Sequence, residues 1–270
     1  MEKLLKLEKL IQSYESVLVG FSAGVDSTLV SFVANKVLGP KALIVLAKTE
    51  TIIEEDVELA RKIAKKNGFN YREIEYNELE IDYYANNPVN RCYFCKKELY
   101  NQLKKIAFEE KINFILDGAN VDDLGDYRPG RIAAREKEVK SPLIECGFTK
   151  ADVRHAASLL ELPNYDKPSA PCLSSRIPYG TRIDKKSLKM IAEAEKFLRK
   201  LGFINVRVRH YQDKAKIEVD SYLIPELKKL FQHIDKKFKE IGYTFIEIDP
   251  EGFQSGKLNR DIISKIPIIK

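Results

Sequence analysis

The chain has no tryptophan, only two methionines and three histidines, and no apolar run long enough to cross a bilayer as a helix. A helical membrane span is therefore not expected. Histidine offers little for a metal centre: His155 and His233 fall within helical patterns, and His210, at the end of a strand pattern, is a weak ligand candidate. Four cysteines occur, and in a chain expected to be cytosolic they point to catalysis or metal binding before disulfides. The opening Met1-Glu2-Lys3-Leu4-Leu5-Lys6 is a charged amphipathic helix rather than a signal peptide, so a cytoplasmic location is expected. No repeat, low-complexity segment or long basic block occurs. The net charge of +6 is spread among many Lys and Glu residues. It suits anionic small molecules and does not require nucleic acid. Abundant Lys, Glu and Ile with scarce Met fit a heat-adapted composition.

What remains is 44% apolar, enough for one large domain or two moderate ones. The chain is organised around Phe21-Ser22-Ala23-Gly24-Val25-Asp26-Ser27-Thr28. An apolar run, Ser16 to Phe21, precedes it and Leu29 to Ala34 follow. That reads as a buried strand, a small-residue turn and a helix. Small residues let an anion approach the backbone, and the first turn of the helix offers unpaired N–H groups. Ser22, Ser27 and Thr28 add hydroxyls. No lysine follows the glycine, which excludes the G-x-x-x-x-G-K-[ST] loop.

Further strands are expected at Ala42–Ala47, Tyr71–Tyr76 and Ile112–Gly118, separated by helices over 52–67 and 96–110. Alternating strands and helices predict an α/β fold, a doubly wound parallel sheet with ligands at the carboxyl ends of its strands. Gly118 to Gly130 leaves the fourth strand at that edge. A helix capped by Thr149 with Asp152 follows. Leu162 to Gly180, with four prolines and Cys172, reads as a hinge. A helix capped at Asp184, strands at 205–210 and 214–220, a helix over 224–241 and a strand over 243–249 complete a smaller C-terminal α/β domain. The expected division is residues 1–180 and 181–270.

Cys92-Tyr93-Phe94-Cys95 stands at a helix start. Such a pair serves as a redox couple, half of a zinc site, or part of an iron–sulfur site. With Cys172, three thiols could hold three irons of a 4Fe–4S cluster and leave one open. Cys146 could close a zinc site instead, although its semi-apolar surroundings suit a buried small hydrophobe. Asp26 is the acidic candidate for a metal, or else a brace of its own turn. Asp117 and Asn120 could serve the same anionic ligand as the turn, or its Mg²⁺, or form an Asx-type loop. Arg176 could clamp a phosphate or carboxylate. Arg207 and Arg209, two apart on a strand, share one face while Val206 and Val208 face inward, so the pair suits a phosphate or forms a solvated face.

The loop Ser22-Ala23-Gly24-Val25-Asp26-Ser27 resembles the S-G-G-x-D-S pyrophosphate loop of ATP pyrophosphatases, except that Ala23 replaces the first glycine and is penalised wherever φ is positive. The runs N-P-V-N-R-C-Y-F-C-K, D-G-A-N-V-D-D-L-G-D-Y-R-P-G, K-P-S-A-P-C-L-S-S-R-I-P-Y-G and V-R-V-R-H resemble those of the LarE family, from about Val17 to Asn259. The resemblance implies an ATP-dependent sulfur transferase that adenylylates pyridinium-3,5-biscarboxylic acid mononucleotide, releases pyrophosphate and forms a thiocarboxylate for the nickel-pincer cofactor. It implies ATP and Mg²⁺ at Ser22, Gly24, Asp26, Ser27 and Thr28, with Asp117, Asn120, Arg176, Arg207 and Arg209 binding nucleotide or substrate. It further implies a cluster on Cys92, Cys95 and Cys172, with Cys172 giving up its own sulfur as the alternative. A homo-oligomer is expected. Rival functions are a tRNA thiolase, disfavoured by the lack of a concentrated basic face; an amidating relative of NAD or GMP synthetase, which leaves the three cysteines unexplained; and a zinc-stabilised nucleotide-binding module.

Overall fold

The computed structural model describes residues 2–125, 128–168, 171–254 and 257. Parts of the quoted motifs, at Asp126-Tyr127 and Ser169-Ala170, and the end of the resemblance at Leu258-Asn259 lie outside the described residues. The chain forms two compact units, Met1–Tyr84 with Pro88–Ala170, and Ala85–Asn87 with Pro171–Lys270. The second unit thus takes in the last part of the expected hinge. Among the described residues no helix is long and apolar enough to cross a membrane.

The first unit opens with helix α1 (Glu2–Gln12). Strand β1 (Val17–Phe21), helix α2 (Val25–Leu38), β2 (Ala42–Lys48), α3 (Glu54–Asn67) and β3 (Asn70–Glu75) follow. A single turn, α4 (Asp82–Ala85), ends where the chain enters the second unit, and α5 (Arg91–Glu109) and β4 (Phe114–Leu116) return to the first. Short helices α6 (Gly130–Glu136) and α7 (Pro142–Glu145) precede α8 (Lys150–Leu159). The signals read from the sequence account for the ends: Gly68 closes α3 in the left-handed conformation at φ 62°, and Thr149 and Asp152 form a reciprocal capping box on α8.

The four strands are all parallel, in the order β3-β2-β1-β4. Alternating residues of the sheet feed two cores. Val17, Val19, Phe21, Ile44 and Leu46 pack with α1, α2, α3 and α8. Leu18, Leu43 and Val45 pack with Tyr100 and Leu103 of α5 and Ala133 of α6. Helices therefore cover both faces, as a doubly wound sheet requires. The strand order reverses between β1 and β4, so the loops leaving these two strands flank the ligand crevice of such a sheet.

The second unit contains α9 (Lys185–Lys200), β5 (Val206–Tyr211), β6 (Lys214–Val219), α10 (Ile224–Lys229), α11 (Phe231–Ile241) and β7 (Phe245–Ile248). Its sheet has the order β5-β6-β7, with the first pair antiparallel and the second parallel. The single helix expected over 224–241 is two helices. Leu230 interrupts it at φ −90°, ψ 4°, without a glycine or proline at the break. Asn87, buried and at φ 54°, donates to the carbonyls of Ile177 (3.3 Å), Pro178 (2.8 Å) and Thr181 (3.1 Å), which fastens the Ala85–Asn87 crossing into this unit.

His210 of β5 is buried, with Nδ1 3.2 Å from the Tyr243 hydroxyl. Burial lowers its pKa, opposed by the Asp184 carboxylate. A base whose folded pKa lies below its unfolded value binds more protons when unfolded, so stability falls as pH drops through the unfolded value of about 6.5. Thermal unfolding across that range is expected to show this loss, and His210→Gln to flatten it.

Candidate active site

Strand β1 delivers Phe21 to the turn Ser22-Ala23-Gly24, and α2 begins at Val25. Gly24 is its N-cap, with no side chain capping it, so the first-turn N–H groups are left for other partners. Ser27 Oγ accepts from Ser22 N (3.2 Å), lies 3.1 Å from Ser22 Oγ, and donates to the Gly24 carbonyl (3.1 Å). The two hydroxyls are thereby placed side by side on the turn. Thr28 is fully buried, and its hydroxyl accepts from Asn164 Nδ2 (2.8 Å). Ala23 does adopt a positive φ, 53°, at a cost of roughly 1–2 kcal/mol for a residue with a Cβ.

The loop after β4 meets this turn. Gly118 lies so close that an added Cβ would stand 2.7 Å from Ser27 N and 3.0 Å from the Asp26 carbonyl carbon. Asp26 Oδ1 accepts from Asn120 Nδ2 (3.1 Å), and Oδ2 contacts Lys150 Nζ on the first turn of α8. Asp26 is thus held by side chains from two later elements and not by its own turn. Asn120 also caps the short turn Val121–Leu124 through Asp122 N (3.0 Å), with Asp123 returning the bond. It is an Asx-type cap and a partner of the loop at once. Asp117 Oδ2 accepts from the Tyr100 hydroxyl (3.3 Å) and Oδ1 from Ala119 N (3.1 Å). Burial pushes the Tyr100 phenol well up, which keeps it a donor.

On the same edge, an open pocket of about 410 Å³ is lined by Lys48, Thr49, Glu50, Glu75, Tyr76 and Asn77. Glu78, 2% exposed, accepts from Thr51 Oγ1 (2.7 Å), Thr49 Oγ1 (3.2 Å) and the Cys95 thiol (2.9 Å). All four thiols are unbridged. Cys92 is exposed and Cys95 half-buried at the start of α5; Cys172, in the second unit, is exposed. Cys146 is a core residue whose thiol is pushed up by burial. Among the described residues no three His, Cys, Asp or Glu side chains form a metal-holding group.

Cys172 stands at the N-cap of a single turn, Leu173–Arg176. The Arg176 guanidinium is engaged within its own unit. It forks onto Glu195 (Nε–Oε1 2.8 Å, Nη2–Oε2 2.9 Å), and Nη1 donates to the carbonyls of Pro171 (2.6 Å) and Cys172 (3.1 Å). The carboxylate it clamps is Glu195, and its grip sets the backbone carrying Cys172. Arg209 forks onto Glu218 (3.0 and 2.8 Å) and donates to the Ser175 carbonyl (2.7 Å). The arginine face, read as either a phosphate site or a solvated surface, is buried, with Arg207 and Arg209 each 7% exposed. Arg207 lies 5.1 Å from the Phe253 ring centroid. Burial, then the neighbouring Arg176 charge, bring its pKa down to about 10. Glu195→Ala would leave Arg176 buried without its counter-charge, a loss of about 3–5 kcal/mol, to be read by urea unfolding; Glu195→Gln is expected to lose less.

Lys150, Gly118, Asn164, Glu78 and Glu195 escaped the sequence reading. Lys150 follows a recognised cap and Gly118 closes a recognised strand, so position alone could have raised both. Nothing in Leu162-Pro163-Asn164-Tyr165 marked Asn164.

A profile of the NAD synthase family matches residues 2–97. An uncharacterized protein of Synechocystis is 42% identical over 260 residues, covering 94% of this chain and 97% of its own. Pyridinium-3,5-bisthiocarboxylic acid mononucleotide synthase of Lactiplantibacillus plantarum is 35% identical over 256 residues, covering 94% of this chain and 92% of its own. An uncharacterized protein of Methanocaldococcus jannaschii is 31% identical over 258 residues, covering 94% of this chain and 98% of its own. With the turn Ser22–Gly24 at the first strand of a doubly wound sheet and near-complete coverage of that synthase, the chain belongs to the LarE family of ATP-dependent sulfur transferases.

Proposed function

We propose that this protein adenylylates a carboxylate of pyridinium-3,5-biscarboxylic acid mononucleotide and converts it to a thiocarboxylate. The observation that carries this reading is the phosphate turn backed by Asp26, Asn120 and Lys150 at the strand-order switch, in a chain 35% identical to the named synthase. The substrate carboxylate oxygen attacks the α-phosphorus of ATP, and the bond to the β-phosphate oxygen breaks. Charge grows on the departing pyrophosphate, where the N–H groups of the turn and the hydroxyls of Ser22 and Ser27 would meet it. Asp26 would hold Mg²⁺ with the triphosphate, and Lys150 adds a cation at the same place. Asp117 and Asn120 shape the opposite wall. Arg207, whose charge is penalised by burial and by Arg176, gains from a substrate phosphate placed beside it.

A sulfur nucleophile then attacks the acyl carbon, and AMP leaves. The donor set of three unbridged thiols, Cys92, Cys95 and Cys172, suits a 4Fe–4S cluster with one open iron, and such a group would supply replaceable sulfide. In the alternative, the Cys172 sulfur itself attacks; loss of its Cα proton and cleavage of its Cβ–S bond leave thiocarboxylate and dehydroalanine. A cytoplasmic homo-oligomer that handles small molecules and not nucleic acid completes the proposal. The test is anaerobic purification with iron and acid-labile sulfide analysis, followed by turnover with ATP and the mononucleotide. AMP and pyrophosphate are expected; ADP and orthophosphate would overturn the reading. A Cys172 peptide that has lost one sulfur would select the sacrificial route.

A further inference from the structure

Ala23 is a residue with a side chain in a left-handed turn, and the neighbouring structure holds it there. Asn164, 2% exposed, donates through Nδ2 to the Ala23 carbonyl (2.9 Å) and to Thr28 Oγ1 (2.8 Å). Both amide hydrogens therefore go to the two ends of the phosphate turn. Its Oδ1 is buried and has no hydrogen-bond partner among the described residues. The reversed amide would set that oxygen against the Ala23 carbonyl, so the orientation is fixed by the network. Lys167 Nζ reaches the same carbonyl (3.3 Å) while tethered to Asp56 (2.7 Å).

We propose that Asn164 is a positioning residue for nucleotide binding: it pulls the Ala23 carbonyl inward and so aims the Gly24 N–H at the crevice. Among the described residues no peptide bond is cis. In a trans peptide the N–H points opposite to the C=O. Anchoring the Ala23 oxygen on Asn164 thus turns the Gly24 N–H to the far side, where the departing pyrophosphate develops charge. The bond to Thr28 fixes the first turn of α2 relative to that peptide. A glycine at position 23 would reach this φ without strain, so the amide compensates for the alanine. The inference rests on reading the turn as the ATP site.

The test is titration of the full-length protein with the Mg²⁺ complex of α,β-methylene ATP, with thermal unfolding in parallel. Asn164→Ala is expected to weaken binding about 10- to 100-fold, as misplacement of a binding group does. Measured against Ala23→Gly itself, Asn164→Ala is expected to cost much less in the Ala23→Gly background than in the wild type. An equal loss in both backgrounds, or none in Asn164→Ala, overturns the proposal. If Asn164→Ala does not fold, Asn164→Ser, which keeps one donor, is read by the same criteria. Ser27→Ala separates the two layers: weak binding there with unchanged Asn164 variants removes only the positioning role. Wild-type binding by Ser27→Ala, or none by the wild type, removes the ATP reading and the inference with it.

Discussion

Cys172→Ala is expected to abolish thiocarboxylate formation while leaving formation of the AMP–carboxylate measurable. In the proposed reaction the two half-reactions draw on different residues. Adenylylation would use the turn Ser22–Thr28, where Asn120 and Lys150 hold Asp26, all in the first unit. Cys172 belongs to the second unit and is exposed, so truncation of its side chain is expected to change stability by no more than about 0.5 kcal/mol. Cys146 offers no substitute, because it is buried in the core with its thiol pushed up. Both sulfur routes lose an essential part, one a cluster ligand and the other the sulfur itself. Substrate-dependent exchange of pyrophosphate into ATP should persist, and the thiocarboxylate should vanish from the mass spectrum. Thiocarboxylate produced by the variant, or loss of adenylylation alone, would contradict the role given to Cys172.

The parallel sheet was legible because its strands are continuous apolar runs and its helices end on readable signals, Gly68 and the Thr149–Asp152 box among them. The strand–turn–helix around Ser22–Gly24 was legible because small residues follow the first buried strand. The supports of the turn were not, since each depends on folding across long separations: Lys150 reaches Asp26 over 124 positions and Asn164 reaches Ala23 over 141. The arginine strand shows a different limit. Period-2 alternation assigned Arg207 and Arg209 to one face correctly, but alternation cannot say whether that face is covered. Here Ser175 and Phe253 pack over it, and Glu218 pairs with the buried Arg209. The break at Leu230 was invisible because no residue type there stops a helix.

Gly118→Ala is expected to lower the rate of pyrophosphate exchange about 100-fold with the fold retained. Gly118 is not at a positive φ, so alanine suits its backbone, and the requirement is purely steric. The new methyl would stand 2.7 Å from Ser27 N and 3.0 Å from Ser27 Cα, both backbone atoms that no rotamer change can move. Either the exit of β4 or the first turn of α2 must yield. A shift near 1 Å in a binding group costs on the order of 100-fold in rate, and overpacking of this kind costs about 1–3 kcal/mol in stability. Gly39→Ala supplies the contrast. Gly39 is at φ 55° with nothing within 4 Å of an added Cβ. Alanine there strains the backbone by about 1 kcal/mol or somewhat more without touching the turn. Its unfolding midpoint should drop while its exchange rate holds. If both variants lose exchange in proportion to stability, the closeness of the β4 exit to Ser27 has no bearing on nucleotide chemistry. If only Gly118→Ala does, the two loops at the strand-order switch form one nucleotide-binding surface.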